Sequence, residues 1–334
     1  MSDVLNPDFL VAAPDYAGAM DSVVLPALAA IEKVTELTAP DGTRLYCVSY
    51  PAEKPLGTVL VLHGFTENAF KYSELIYSLV RNGFSVLAYD QRGHGRSARA
   101  EGVTGNSVTH VDHFSDYVED LRLVCDQLLN AMPRPWSIFC HSMGGAVTAL
   151  YLEKYPDTFT SAVMCAPMIA PNTGGFPPAL TLAFCGTAAA IGRGKKHPFF
   201  LKEYAGPEKF EDSCATDPAR FAWYDAVKAS RPEFQNSVPS HRWTVEGVRV
   251  TKQILAEGAP ESIHIPVMLS TAEKDYSVMP EPQYKFISRV PDGTHVFVRD
   301  ARHEIFRSVN EVFFPWWHDV LAFLKNAAER GPSA

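Results

Sequence analysis

The sequence has no excess of positive charge, no long apolar run and no paired cysteines, and each lack removes a class of function. Its 334 residues hold 30 Lys and Arg against 38 Asp and Glu, a formal net charge of −8. Nucleic-acid binders usually carry a basic face, so this balance argues against one. No apolar stretch approaches the roughly 20 residues with which a helix crosses a membrane. The opening residues, MSDVLNPDFLVAAPDYAGAM, place acids where a secretory signal would carry Lys or Arg, and their apolar run is very short. The expectation is an uncleaved, cytoplasmic protein. The six cysteines (Cys47, Cys125, Cys140, Cys165, Cys185, Cys214) are scattered without a C-x-x-C pair, so free buried thiols are expected in preference to disulfides. HVDH (110–113) sets two histidines three apart. No further ligand set accompanies them, and neither metal nor cofactor is expected. What remains is an ordinary globular composition, 46% hydrophobic and 20% charged, in a chain long enough for a full core and an inserted subdomain.

From about residue 31 to 169, strand and helix patterns alternate. RLYCVSY (44–50), GTVLVLH (57–63), FSVLAYD (84–90), WSIFCH (136–141) and SAVMCAPMI (161–169) read as strands. Most are almost wholly apolar, as parallel strands covered on both faces are. YSELIYSLVRNG (72–83) and FSDYVEDLRLVCDQLLN (114–130) have helical spacing. The rhythm breaks at Ala170. A segment of some 90 residues follows, rich at first in Gly, Pro and aromatics, before IPVMLSTAEKD (265–275) and THVFVRD (294–300) resume the sheet and a closing helix follows. An interruption of that length predicts a folded cap and not a loop. The expected division is an N-terminal extension over 1–30, an α/β core over 31–169 and 263–330, and a cap over 170–262.

The chemistry is carried by three stretches in chain order. In SIFCHSMGGAV (137–147), Ser142 lies between a buried strand and a helix, with Gly144 and Gly145 on the helix side. A sharp strand-to-helix turn that presents a nucleophile needs small residues around it. Cys140 stands where the G-x-S-x-G pattern has its first glycine; the competing reading is that Ser142 merely caps the helix. AEKDYSV (272–278) brings Asp275 after a late strand, with Glu273 and Asp300 as rival acids. ARHEIF (301–306) brings His303 after the last strand, with His94, His241 and His295 as rival bases. Nucleophile, acid and base in this order, each at the carboxyl end of a strand, fit an activated-serine hydrolysis. YDQRGHGRS (89–97) reads as a tight turn braced by an Asp90–Arg92 ion pair, without the spacing of a nucleotide-binding loop.

HGFTEN (63–68), YDQRGHGRS, HSMGGAV, AEKDYSV and RHEIF together resemble the α/β-hydrolase superfamily, in its branch of monoacylglycerol lipases and bacterial lysophospholipases, the serine aminopeptidase-like hydrolases. The resemblance spans about 38–325, and CATDPARFAWYDAVKASRPEF (214–234) is similar to the lysophospholipase-like members. It implies an α/β-hydrolase fold, a mostly parallel sheet with helices on both faces and a mainly helical cap. It also implies a Ser142–His303–Asp275 triad and an oxyanion hole made by the amides of Phe65 and Met143, with His63 shaping the loop. Cys140, and Ala301 where many relatives have glycine, are departures, and both are small.

The resulting expectation is a serine hydrolase that cleaves the acyl ester of a monoacylglycerol or lysophospholipid. FPPALTLAFCGTAAAIG (176–192) reads as acyl-chain tunnel, membrane-facing surface or plain cap core, and Arg193, Lys195 and Lys196 beside it as headgroup contacts or solvated surface. Peripheral contact with the inner membrane through the cap is therefore an expectation too. Alternatives on the same triad are a small-ester carboxylesterase, a lactonase, a thioesterase or a peptidase, and outside enzymes a binding protein with a dead site. Ser142 in the nucleophile position argues against epoxide hydrolases and dehalogenases, which use a carboxylate there.

Overall fold

In a computed structural model, which describes residues 4–330, eight strands form one sheet. In chain order they are β1 (Lys33–Thr38), β2 (Arg44–Tyr50), β3 (Gly57–Leu62), β4 (Phe84–Tyr89), β5 (Trp136–His141), β6 (Ser161–Cys165), β7 (Val267–Ala272) and β8 (Gly293–Val298). Their spatial order is β1-β2-β4-β3-β5-β6-β7-β8. β2 pairs antiparallel with both β1 and β4, and every later pairing is parallel.

The central strands β3, β4, β5, β6 and β7 are buried along their whole length. They read as continuous apolar runs because side chains alternate between two covered faces. β3 sends Leu60 and Leu62 into one core with α2 (Ser115–Gln127), α3 (Met143–Lys154) and Phe286 of α7 (Pro280–Ile287). It sends Val59 and Val61 into the opposite core with α1 (Ser73–Arg81) and α8 (Asn310–Arg330). Between β6 and β7 the chain leaves the sheet and forms α4 (Pro178–Ala188), α5 (Pro218–Ser230) and α6 (His241–Ile254). This is the stretch expected as a cap. It makes two strand-like contacts outside the main sheet: Val238–Pro239 pairs with Val108–Thr109, and Pro171 forms an isolated bridge with Val278. α4 packs on α6 and buries only Cys185 of its own residues.

Residues 1–3 of the expected N-terminal extension lie outside the described residues. The rest of it is integral to the core: Leu10, Val11, Met20, Val24 and Leu28 pack with α1 and α8. Glu74 of α1 accepts the Val11 amide and the Tyr16 hydroxyl, both at 2.9 Å. It also accepts two bonds of 3.0 Å from the Arg220 guanidinium of α5. Arg220 bonds in addition to the Val11 carbonyl (3.1 Å) and to Asn310 Oδ1 at the start of α8 (2.8 Å).

The Asp90–Arg92 pairing expected in the turn after β4 is not formed. Arg92 pairs with Asp120 of α2 through two bonds of 2.6 Å, and with Asp41 at 2.7 Å. Asp90 instead accepts the amides of Ala69 (2.7 Å) and Arg96 (2.8 Å). A buried carboxylate inside a turn is better satisfied by fixed backbone N–H groups, which leaves the long guanidinium free to reach a helix.

Candidate active site

β5 runs straight into the turn that carries Ser142, where the backbone takes φ +49° and ψ −117° before α3 begins at Met143. A non-glycine residue there is strained and persists only when its surroundings hold it. They do: the Ser142 carbonyl accepts the amides of Gly145 and Met168, each at 2.8 Å. α3 presses against the sheet so closely that a Cβ on Gly144 would lie 2.6 Å from the Leu62 carbonyl oxygen. A Cβ on Gly145 would collide with Pro167. These two glycines are therefore required by close approach. Cys140, on the strand side, is fully buried, and its Sγ lies 3.5 Å from the Val163 carbonyl. The turn closes over it without a glycine.

The Ser142 side chain makes no helix-capping bond. Its Oγ lies 2.8 Å from Nε2 of His303, and Nδ1 of His303 lies 2.7 Å from Asp275 Oδ2. Asp275 sits in the loop after β7 and His303 in the loop after β8. The other carboxylate oxygen, Asp275 Oδ1, accepts the amides of Ser277 (2.8 Å) and Val278 (3.1 Å). A carboxylate only accepts, so Nδ1 of His303 donates to it and Nε2 is left to accept the serine proton. Burial alone would push the His303 imidazole down; the Asp275 charge beside it outweighs that and raises it. Burial would likewise raise Asp275, but His303 and the two amides hold it below its ordinary value.

The rivals are placed elsewhere. Glu273 accepts the Asp300 amide (2.9 Å), and Asp300 pairs with Lys274 (2.6 Å). His295 meets Thr271 Oγ1 at 3.0 Å, and His94 bonds to the Arg92 carbonyl at 3.0 Å. His63 donates from Nδ1 to the Gly64 carbonyl (2.7 Å) and accepts the Gln91 amide at Nε2 (2.8 Å), so it pins the loop after β3 to the loop after β4. Met143 is the first residue of α3, and its N–H has no acceptor within the helix. The Phe65 N–H has no acceptor among the described residues.

A cavity of about 720 Å³ lies beneath α4, lined by Phe176, Leu180, Phe184, Phe200, Trp243 and Val248 among others. None of Ser142, His303 and Asp275 lines it. Trp243 belongs to its wall and packs its ring on Phe65, the residue after Gly64. Sequence reasoning missed Trp243, Glu67 and His141; the last two fall inside motifs already singled out, HGFTEN and HSMGG.

The sequence matches the family described as serine aminopeptidase, S33, over residues 53–310. The chain belongs to the serine aminopeptidase S33 family. Among its relatives, S33 similarity extends to lysophospholipase L2 of Escherichia coli K12, 28% identical over 287 residues, 81% of either chain. A monoacylglycerol lipase of Mycolicibacterium smegmatis is 32% identical over 144 residues, 42% of this chain and 49% of that one. Among solved structures, a soluble variant of monoglyceride lipase from Saccharomyces cerevisiae aligns with TM-score 0.69 at 20% identity, covering 89% of this chain and 97% of that one. A thermostable carboxyl esterase from Bacillus coagulans gives the same TM-score and identity, covering 89% and 99%. The fold of this S33 member is that of the α/β-hydrolases.

Proposed function

We propose that the protein is a serine hydrolase that cleaves the acyl ester of a lysophospholipid or monoacylglycerol through an acyl-enzyme. The observation that carries this reading is the continuous Asp275–His303–Ser142 hydrogen-bonded chain on a strained strand-to-helix turn. His303, oriented by Asp275, takes the Ser142 proton as Oγ attacks the ester carbonyl. The amides of Phe65 and Met143 hold the oxyanion, and the His303 imidazolium protonates the departing alcohol. Water then repeats the sequence on the acyl-enzyme.

The lipid character of the substrate is supported by the names of the relatives and by the cavity, whose walls are mostly apolar, with Asn172, Thr173, Thr181 and Thr244 among them. Residues 170–262 act as the cap in this reading. Phe176, Leu180, Ile191, Phe199 and Phe200 stand exposed on it, with Arg193, Lys195 and Lys196 alongside. A face of that kind suits contact with a lipid surface.

The test is Ser142→Ala together with a fluorophosphonate probe and esters of graded acyl length. Activity is expected to fall on the order of 10⁶-fold, labelling to vanish, and the wild-type rate to climb with chain length. Retained labelling overturns the nucleophile, and a profile peaking at acetate favours the carboxylesterase alternative.

A further inference from the structure

Beneath the three loops of the site lies a buried string of charged groups that the proton transfers do not use. Glu67, four residues after His63, accepts the Gly64 amide (2.6 Å), the Tyr72 hydroxyl (2.5 Å), the Lys71 ammonium (2.8 Å) and Nδ1 of His141 (2.9 Å). The Gly64 amide, the Tyr72 hydroxyl and His141 converge on Oε2, and Lys71 takes Oε1. Burial would raise its carboxyl, but Lys71 and His141 hold it well below the ordinary range, so it is ionised. His141 is the last residue of β5, directly before Ser142. Its Nε2 lies 3.2 Å from the carbonyl oxygen of His303. Both partners of this imidazole are acceptors only.

We infer that Glu67 and His141 are positioning residues for the acyl transfer, linking the loop after β3 to the residue before the nucleophile and to the backbone of His303. The string joins the amide next to Phe65, the residue before the nucleophile and the backbone of the base, which lie on loops far apart in sequence. Its effect is to fix their mutual register, where a misplacement of 1 Å costs on the order of 100-fold in rate. The groups facing His141 are Glu67 and Tyr72, His63 of the neighbouring loop, Cys165 opposite it on β6, and the His303 ring 4.7 Å away. Behind Glu67, Lys71 bridges to Glu304 at 2.5 Å, and Arg307 pairs with the same carboxylate.

The inference rests on the Ser142–His303–Asp275 reading, and the two fail separately. The test is steady-state kinetics and fluorophosphonate labelling of Glu67→Gln and, as a second variant, His141→Gln, with a thermal melt of each. kcat and the rate of fluorophosphonate labelling should fall together by roughly 10- to 100-fold, with KM changed less than about threefold. An unchanged kcat overturns the positioning role. Full activity in both variants beside an inactive Ser142→Ala overturns only the positioning role, whereas an active Ser142→Ala overturns the triad reading.

Discussion

Trp243 packs its indole on the ring of Phe65, with centroids 4.2 Å apart and planes at 42°. Through this contact α6 rests on the loop that offers one of the proposed oxyanion amides. The same indole donates to the Tyr117 hydroxyl at 3.2 Å and contributes to the wall of the cavity beneath α4. One side chain thus couples the shape of the proposed acyl compartment to the position of an N–H group that has no side chain to hold it.

Truncating that residue separates the two roles. Trp243→Ala is expected to cost about 3–5 kcal/mol of stability, as large buried aromatics do, and to lower kcat on esters of every length. Trp243→Phe keeps the packing on Phe65 and loses only the bond to Tyr117, so kcat should stay within roughly threefold of wild type. Steady-state kinetics beside thermal melts checks both. Equal kcat in the two variants would contradict the coupling.

In the proposed mechanism the His303–Asp275 pair sets the pH dependence. His303 must be neutral to accept the serine proton, and its raised pKa means that it stays charged to a higher pH than a free imidazole. The acidic limb of kcat/KM is therefore expected above about 6.5, the ordinary histidine value. Asp275→Asn removes the charge that raises it, so the limb should move down in pH while kcat falls by roughly 10⁴-fold. A pH–rate profile of both proteins settles the direction. A wild-type limb below 6.5 would sink it.

Much of this was legible in the sequence because the parallel strands are buried on both faces and appear as unbroken apolar runs. The turn at Ser142 was legible because close packing leaves only small residues at 144 and 145. What escaped were relationships between residues far apart in the chain. Arg92 had a carboxylate two positions away, yet its partners are Asp41 and Asp120. Nothing in HGFTEN or HSMGG tells that Glu67 reaches His141, since that depends on β3 and β5 being neighbours in the sheet. β1 was missed as a strand: it lies at the edge, five of its six residues are exposed, and it lacks an apolar run.

Glu153 of α3 is a buried-side carboxyl without compensation. Its Oε1 has no hydrogen-bond partner, and burial pushes its pKa up to about 8, with Arg289 only partly opposing. A folded-state value above the unfolded one adds stability at low pH, and that stability is lost as pH rises from about 4.5 through about 8. Glu153→Gln should accordingly match wild type at pH 4 and exceed it by on the order of 1 kcal/mol at pH 9. Denaturant melts at the two pH values give the answer, and equal stability at pH 9 refutes it.

Contact with a lipid surface is testable apart from chemistry. Ile191 and Phe199 are 69% and 81% exposed, and neither lines the cavity. Replacing both with Ser is expected to lower hydrolysis of monoacylglycerol presented in vesicles by about 10-fold, each apolar side chain contributing about 1.5 kcal/mol or less of partial burial. A water-soluble short-chain ester should be cleaved at the wild-type rate. Equal losses on both substrates would rule the contact out.

The Arg220 guanidinium bonds to the chain's opening segment, to α1 and to the first residue of α8, all from α5. Separating α5 from α1 would break the buried Arg220–Glu74 pair, at about 3–5 kcal/mol. The segment around Val11, α1, α5 and the start of α8 are joined through one guanidinium, and α5 is expected to melt with the sheet in spite of lying outside it. α4, with one buried residue and no such anchor, stands outside that unit. Its amides would exchange with deuterated solvent through local opening, long before those of the helix that follows it.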